Sequence, residues 1–157
     1  MKQKLSVRVI IRQNNKILLA RRLSGRESLR GFFELPGGEV AFGETPEISL
    51  QGQLQKNLNV NVQTLQLNGV YSEIDKENTS MQHVAIAYLA SLINGPTLEP
   101  SHKYDKYVWR KMSEIQLNNL TSMSASILRL GETTQINSSD QNTYTNNDVE
   151  KHHLKSL

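Results

Sequence analysis

The chain has 157 residues, a formal net charge of +3 and a hydrophobic content of 37%. This length fits one domain with a hydrophobic core and is short for two ordinary domains. Proteins that bind nucleic acids usually concentrate much more positive charge on one face, so we expect no nucleic acid polymer as a partner. The sequence contains no cysteine, which excludes disulfides and thiolate metal sites and agrees with a reducing cytoplasm.

The N-terminal third begins with a predicted β-hairpin. No apolar stretch near the N-terminus is long enough for a signal peptide or a membrane span, so we expect a cytoplasmic protein without a membrane partner. Residues 5–11 alternate between apolar and other side chains and predict a strand that is buried on at least one side. Residues 13–15 predict a hairpin turn, and residues 16–22 predict the return strand.

A glycine turn and a helix start follow at residues 37–47. Gly37 and Gly38 let the backbone turn where a Cβ atom would clash. Thr45 is a good N-cap, and Pro46 fits the first helical position. A glycine turn that leads into a helix N-terminus can hold a phosphate chain.

The predicted helix has one apolar face and a clear end. Asn59 tolerates the left-handed conformation that ends many helices, so we expect the helix to stop there. The apolar face consists of three leucines at i, i+4 and i+8, namely Leu50, Leu54 and Leu58.

In this stretch the chain resembles the Nudix (MutT-like) pyrophosphohydrolases. The box of that family reads Gly, five free positions, Glu, seven free positions, then Arg-Glu-hydrophobic-any-Glu-Glu-any-Gly-hydrophobic. Gly38 and Glu44 match the first two landmarks, and Leu54 and Val60 match the two hydrophobic ones. The other landmarks are replaced by Gly52 for Arg, Gln53 for the first Glu, Lys56 and Asn57 for the Glu pair, and Asn59 for Gly.

These replacements change the charge of one helix face. Positions 53, 56 and 57 lie at i, i+3 and i+4, so the three family carboxylates would share a face, which here carries two amides and one ammonium. The resemblance implies Mg²⁺, which takes carboxylate and phosphate oxygens as ligands. Two unit charges 4 Å apart interact by roughly 4 kcal/mol at an effective dielectric of 20. We therefore predict poor Mg²⁺ binding and impaired catalysis.

Lys56 suggests a positive role for the altered face. Its ammonium group stands about where a metal would bridge the protein and a phosphate, so it can bind a phosphate directly as a point charge. The alternative is that catalysis was lost and that these surface positions then drifted.

Further candidates come from the resemblance and lie outside the replaced positions. Arg21 and Arg22 end a strand on the side where such folds place the substrate, so they are candidates for ligand binding together with Gly37 and Gly38. A solvated arginine pair at a strand end is the alternative interpretation. Asp105 lies in a loop that often carries a functional carboxylate in the family, ahead of Trp109. If the protein is active, Glu44 is the catalytic candidate, and Glu44 and Asp105 are the metal candidates.

The rest of the chain completes one predicted domain. Residues 60–74 and 81–92 predict two long strands, the second of which is apolar on both faces and therefore central in the sheet. Residues 121–130 predict a helix. We place the domain at residues 1–131 and a polar, flexible tail at residues 132–157, which are too poor in apolar side chains to form a core.

The resemblance implies an α/β protein with the Nudix fold, an α/β/α sandwich around a mixed sheet. The favoured function is the binding of a nucleotide or another diphosphate ligand without efficient hydrolysis. One alternative is a weak or atypical Mg²⁺-dependent nucleotide pyrophosphohydrolase that uses carboxylates outside the box. The other alternative is a protein-interaction domain with a closed cleft. A homodimer is a further state that the resemblance allows.

Overall fold

The computed structural model of the chain describes residues 1–97 and 102–129. Residues Met1–Ile127 form one compact unit, and the site described below lies within it. The predicted domain boundary at residue 131 and the predicted tail lie outside the described residues.

A mixed seven-stranded sheet organises this unit. Its main path runs β3-β2-β1-β6-β5, while β4 pairs with β1 and β7 pairs with β2. The β1 and β6 strands are parallel, and the other pairs are antiparallel. The strands are β1 (Lys2–Gln13), β2 (Lys16–Arg22), β3 (Phe33–Glu34), β4 (Gly37–Glu39), β5 (Asn61–Ile74), β6 (Met81–Asn94) and β7 (Tyr104–Arg110).

The predicted strands agree closely with this sheet. The turn between β1 and β2 contains Asn14 and Asn15, both with positive φ, which asparagine adopts more readily than most residues. As predicted, β6 is central, because it lies between β1 and β5 and has buried side chains on both faces.

In the described ranges, two α-helices accompany the sheet. Helix α1 (Pro46–Leu58) starts at Thr45, whose side chain accepts a hydrogen bond from the Ile48 amide. It ends at Asn59, which has a φ of 49° in the left-handed region, as predicted. Helix α2 covers residues 122–129 of the described chain, close to its prediction. None of the helices in the described ranges is long and apolar enough to span a membrane.

The main core lies between α1 and one face of the sheet. The three leucines predicted for the buried face of α1 are at most 1% exposed. They pack with alternate residues of β1 and with apolar residues of β5 and β6: Val7, Val9, Ile11, Val62, Tyr88 and Ala90. Burying a leucine or valine side chain contributes roughly 1.5–3 kcal/mol, so this layer fixes α1 against the sheet. It thereby places the face of α1 that carries Gln53 beside Gly38 of β4.

Candidate functional site

A cleft of about 770 Å³ opens beside the β4 strand and Lys103, the residue that directly precedes β7. Its lining includes Gly38 and Gln53 from the box, and three cationic side chains from separate parts of the chain: Arg8, Arg22 and Lys103. The apolar part of the lining includes Leu29, Phe32, Ile74, Leu120 and Met123.

Glu34 pairs with two of the three cationic side chains, and the part of the cleft that these three side chains line is called its cationic end. This carboxylate is 2% exposed, and its Oε1 atom lies 2.9 Å from Arg8 Nη1 and 3.3 Å from Arg22 Nη1. The Tyr104 hydroxyl donates a further hydrogen bond to the same atom, at 2.8 Å. Burial alone would raise the pKa of Glu34, but Arg8, Arg22 and Lys103 outweigh burial and hold the pKa below its ordinary value. Glu34 is therefore an ionised anchor for two guanidinium groups.

Lys103 is the third cation of this end. Its half-buried ammonium group donates a hydrogen bond to the Gly37 carbonyl and lies 5.3 Å from the centre of the Tyr104 ring. Burial and the neighbouring Arg8 charge lower the pKa of Lys103 to about 8, although Glu34 opposes this shift. At neutral pH the amine is thus largely protonated, and at pH 9 it is largely neutral.

The box face of α1 contributes the Gln53 amide to this cleft, with the Asn57 amide beside it. The Asn57 side-chain NH₂ donates to Gln53 Oε1 at 2.9 Å, and Asn57 is buried. Gln53 packs so closely over Gly38 that a Cβ atom at position 38 would overlap its side chain. One hydrogen bond therefore joins two amides at the place where the family has two carboxylates.

The donor atoms do not fit Mg²⁺, which prefers several carboxylate oxygens. Glu44 accepts a hydrogen bond from the Ser49 hydroxyl at 2.6 Å, while Glu34 is bound by the two arginines. Asp105 pairs with Arg21 through two hydrogen bonds of 2.8 and 2.9 Å. Within residues 1–97 and 102–129, no group of three or more His, Cys, Asp or Glu side chains could hold a metal ion.

The predicted site residues separate into two groups in the structure. Arg22 and Gly38 line the cleft, and the Gly37 carbonyl contacts Lys103. A side chain at Gly37 would collide with the Val7 carbonyl of β1, so this glycine allows β4 to approach β1. The described residues that line the cleft do not include the other predicted ones: Arg21, Glu44, Lys56 and Asp105. Lys56 is exposed, and Arg21 and Asp105 neutralise each other.

Two cations of the cleft were missed as ligand-binding candidates. Arg8 could have been noticed as the one charged residue within residues 7–11, the apolar part of β1, since a charge there needs a buried partner or a cleft. Lys103 was considered only as a neighbour of Asp105. The sequence offers no further signal for it, because its position depends on the pairing of β7 with β2.

The lining of the cleft also includes a second charged cluster around Asp75. Two nitrogen atoms of Arg26 lie 3.0 and 2.6 Å from the two Asp75 oxygens, and His83 Nε2 lies 2.7 Å from Oδ2. The Glu77 and Asn78 amides also donate to Asp75. Hydrogen bonds from Arg26 and His83, more than the opposing effect of burial, hold the pKa of Asp75 well below its ordinary value. This cluster connects the loop over residues 23–31 to the turn between β5 and β6.

The arrangement can bind an anion without a metal. Guanidinium groups match phosphate oxygens in a planar, bidentate way, and a lysine supplies a compact point charge. The amides of the box can donate or accept hydrogen bonds but cannot replace a divalent cation in neutralising a pentavalent phosphorus. The cleft therefore has the donor groups that an anionic ligand requires, and it lacks the carboxylate set that Mg²⁺ prefers.

Comparison with known proteins gives matches over most of the chain. Residues 2–130 match the NUDIX domain family. An ADP-ribose pyrophosphatase from Methanocaldococcus jannaschii is 33% identical over 86 residues, which are 55% of this chain. The matched region covers 49% of that relative, so the chain spans about half its length.

Solved structures have the same fold. A MutT NUDIX hydrolase from Burkholderia pseudomallei superposes with a TM-score of 0.72 at 24% identity, covering 82% of this chain and 98% of that one. An ADP-ribose pyrophosphatase from Streptococcus suis gives a TM-score of 0.61 at 19% identity, covering 84% and 91%. At these identities the likeness concerns the fold, and it confirms the predicted α/β architecture around a mixed sheet.

Proposed function

This chain belongs to the NUDIX domain family, and on that premise we propose that it binds a nucleotide or another diphosphate ligand in its cleft without a metal and hydrolyses it poorly. The observation that carries the proposal is the pairing of Gln53 with Asn57 beside a cluster of three cations. The amides remove the negative charge that would attract Mg²⁺, while Arg8, Arg22 and Lys103 supply positive charge for phosphate oxygens. A cleft of about 770 Å³ supports ligand binding over the alternative of a closed interaction domain.

The ligand class follows from the shape of the cleft. Its cationic side chains suit a diphosphate, and its apolar lining, which includes Phe32, suits a ring or another weakly polar group attached to that diphosphate. ADP-ribose has both parts, and a relative of this chain carries the name ADP-ribose pyrophosphatase. It is therefore the first ligand to test.

The test is calorimetric titration of ADP-ribose in the presence of EDTA. We expect the native protein to bind and Lys103→Gln to bind about 10–100-fold more weakly, because a hydrogen bond to a charged group contributes roughly 1.5–3 kcal/mol. Lys106→Gln is the matched control, because Lys106 is exposed on β7 and is not among the described cleft-lining residues. No binding in EDTA, or equal binding by Lys103→Gln and native protein, would contradict the proposal.

A second candidate is a weak hydrolase of ADP-ribose or a related compound. It is favoured by the similarity to the Methanocaldococcus jannaschii relative and by Glu44, the one box carboxylate that is kept. Incubation of the native chain with ADP-ribose and Mg²⁺ or Mn²⁺, followed by chromatography of the products, separates the two candidates. Formation of AMP that Glu44→Gln abolishes would establish the hydrolase in place of the metal-free binder.

A further inference from the structure

The lining of the cleft includes a carboxylate that the binding of a diphosphate does not use, that of Glu73 near the end of β5. Its Oε2 atom accepts a hydrogen bond of 2.8 Å from the hydroxyl of Ser122, the first residue of α2. Among the described residues, Ser122 is the hydrogen-bond partner of this side chain, so Oε1 can accept a hydrogen bond from a ligand. Because the Ser122 hydroxyl donates its proton to Glu73, its oxygen can accept but not donate a further hydrogen bond. The pair therefore presents acceptor atoms to the cleft.

Apolar side chains of the cleft lie beside this pair. The Thr121 amide, directly before α2, donates a hydrogen bond of 2.8 Å to the Phe33 carbonyl. This bond brings the start of α2 close to the neighbouring Phe32, which is exposed and lines the cleft. Leu120 and Met123 line the cleft next to the same turn. An aromatic ring of a ligand can therefore pack on apolar side chains while its edge meets the two acceptor oxygens.

Glu73 lies on the same face of the sheet as Arg8. Glu73 is opposite His83 of β6, and His83 is opposite Lys4 of β1, four residues before Arg8. Four residues at about 3.3 Å along the strand and two strand spacings of about 4.8 Å give roughly 16 Å between the Cα atoms of Glu73 and Arg8. Both side chains line the cleft. A ligand that binds Arg8 through a phosphate can thus reach Glu73 with a ring that a sugar separates from that phosphate.

We propose that Glu73, together with Ser122, determines the specificity of the cleft by accepting a hydrogen bond from an amino group on the ring of the ligand. This inference rests on the proposed function, because it requires a diphosphate at the cationic side chains. It narrows the ligand class to nucleotides whose base carries an amino group, as adenine does. A base without a donor on that edge would displace water from the carboxylate and give it no hydrogen bond in return, which disfavours its binding.

The same carboxylate can also have a structural effect. Helix α2 begins at Ser122, and a negative charge near a helix N-terminus stabilises the helix. A purely structural Glu73 would change the affinity of all ligands by the same factor. A residue that determines specificity changes the affinity only of ligands that carry the donor. The ratio of two affinities therefore distinguishes these roles.

The test compares ADP-ribose with its purine analogue, in which hydrogen replaces the amino group of adenine. Calorimetric titration of the full chain is carried out in EDTA and again with Mg²⁺. We expect the native protein to bind ADP-ribose roughly five- to tenfold more tightly than the analogue, which is the effect of one hydrogen bond at a solvated carboxylate. We expect Glu73→Ala to bind the two ligands equally, to within about twofold.

A third ligand separates the ring from the sugar, whose hydroxyl groups are also donors. The 2′-deoxy form of the adenosine part keeps the amino group, so its affinity relative to the purine analogue should still depend on Glu73. If Glu73→Ala instead removes only the difference between ADP-ribose and the 2′-deoxy form, the carboxylate binds the sugar and the proposal is wrong.

Glu77→Ala is the matched control. Glu77 is an exposed carboxylate that also lines the cleft, and it contacts Arg26. Its loss should change both affinities by the same factor and keep their ratio. Equal binding of ADP-ribose and the analogue by the native protein would overturn this inference, as would a preference that Glu73→Ala retains. Either result leaves the diphosphate proposal in place if Lys103→Gln weakens both ligands, whereas absence of binding of both ligands with and without Mg²⁺ would overturn both proposals.

Discussion

The surroundings of Lys103 in the cleft shift its pKa and therefore its charge near neutral pH. Burial lowers its pKa most, and the charges of Arg8 and Arg22, the side chains proposed to bind phosphate, lower the pKa further. A lysine with a pKa of about 8 changes its charge over a pH range in which arginines, tyrosines and a diphosphate diester do not. The pH dependence of ligand binding can therefore report on this one residue.

We expect the affinity for ADP-ribose to fall by roughly tenfold between pH 7 and pH 9. The lowered pKa means that the protonated fraction of Lys103 in the free protein declines from about nine-tenths to about one-tenth over this range. Of the two forms of Lys103, only the protonated amine attracts the diphosphate. The contribution of Lys103 to affinity is therefore present below pH 8 and is lost as the pH rises. The measurement is calorimetric titration in EDTA at several pH values.

Lys103→Arg is the control for this profile. An arginine keeps its charge at all of these pH values, so its affinity should stay nearly constant from pH 7 to pH 9. A decline of the same size in Lys103→Arg would assign the pH dependence to another group and would remove Lys103 from the binding site.

Single residues also show how far the sequence could predict the site. Gly38 and Arg22 were predicted to bind ligand and line the cleft, because local motifs placed them. Lys56 was predicted to contact a phosphate because of its place in the box. Its side chain is exposed, and the box residue that packs against Gly38 is Gln53. Helical spacing alone puts positions 53, 56 and 57 on one face, but it does not say which of them the neighbouring strand covers.

At the level of elements, the loop over residues 23–31 is fastened across the cleft. Arg26 reaches from this loop to Asp75 in the turn between β5 and β6, and Glu77 lies 3.4 Å from the same guanidinium group. Bidentate arginine–carboxylate pairs are among the more specific polar contacts. Residues that line the cleft occur on both sides of this contact, so its opening would change access to the ligand site.

We expect Arg26→Ala to loosen this loop. Without the guanidinium group, the Leu29 and Arg30 amides, whose hydrogen bonds lie within the loop, should exchange with solvent deuterium faster than in the native protein. Amides of β1 and β6 should be unaffected, because the pairing of these strands does not involve Arg26.

Arg30→Ala is the matched control for the loop experiment. Arg30 belongs to the same loop and donates to the Gly25 carbonyl, so its loss leaves the connection to Asp75 in place. Equal exchange rates in native protein and Arg26→Ala would mean that the backbone hydrogen bonds at the base of the loop, rather than Arg26, keep it closed.

Elements with strong local signals were predictable, and their long-range pairing was not. From sequence alone, the two ends of α1 were predicted from Thr45 and Asn59, and its buried face was predicted from the three leucines. The pairings of β4 with β1 and of β7 with β2 join segments far apart in the chain. Periodicity within a strand says which face is apolar but does not say which strand lies beside it.

For the whole molecule, the cleft combines groups that the sequence keeps far apart. Arg8, Arg22, Glu34 and Lys103 come from β1, β2, β3 and the loop before β7. The family resemblance predicted the fold and the position of the cleft. The replaced positions of the box predicted that the helix face would lack its carboxylates. The compensating positive charge could be assigned only once the sheet had brought these four residues together.

Four substitutions would restore the charged residues of the box: Gly52→Arg, Gln53→Glu, Lys56→Glu and Asn57→Glu. If the fold and the cleft are intact, the variant should hydrolyse ADP-ribose with Mg²⁺ faster than the native chain, because three carboxylates on one helix face can hold the cation. The new carboxylates at positions 53 and 57 repel each other without a metal, so Mg²⁺ should also raise the melting temperature of the variant but not that of the native chain.

Two results of this experiment would count against the argument. Equal turnover by the native chain would mean that other carboxylates hold the metal and that the amide pair does not impair catalysis. A variant that gains stability from Mg²⁺ without gaining activity would mean that the charge of the box face is not the whole difference. The cations at the cleft would then hold the diphosphate out of reach of the restored carboxylates, and Lys103→Gln added to the variant should release the activity.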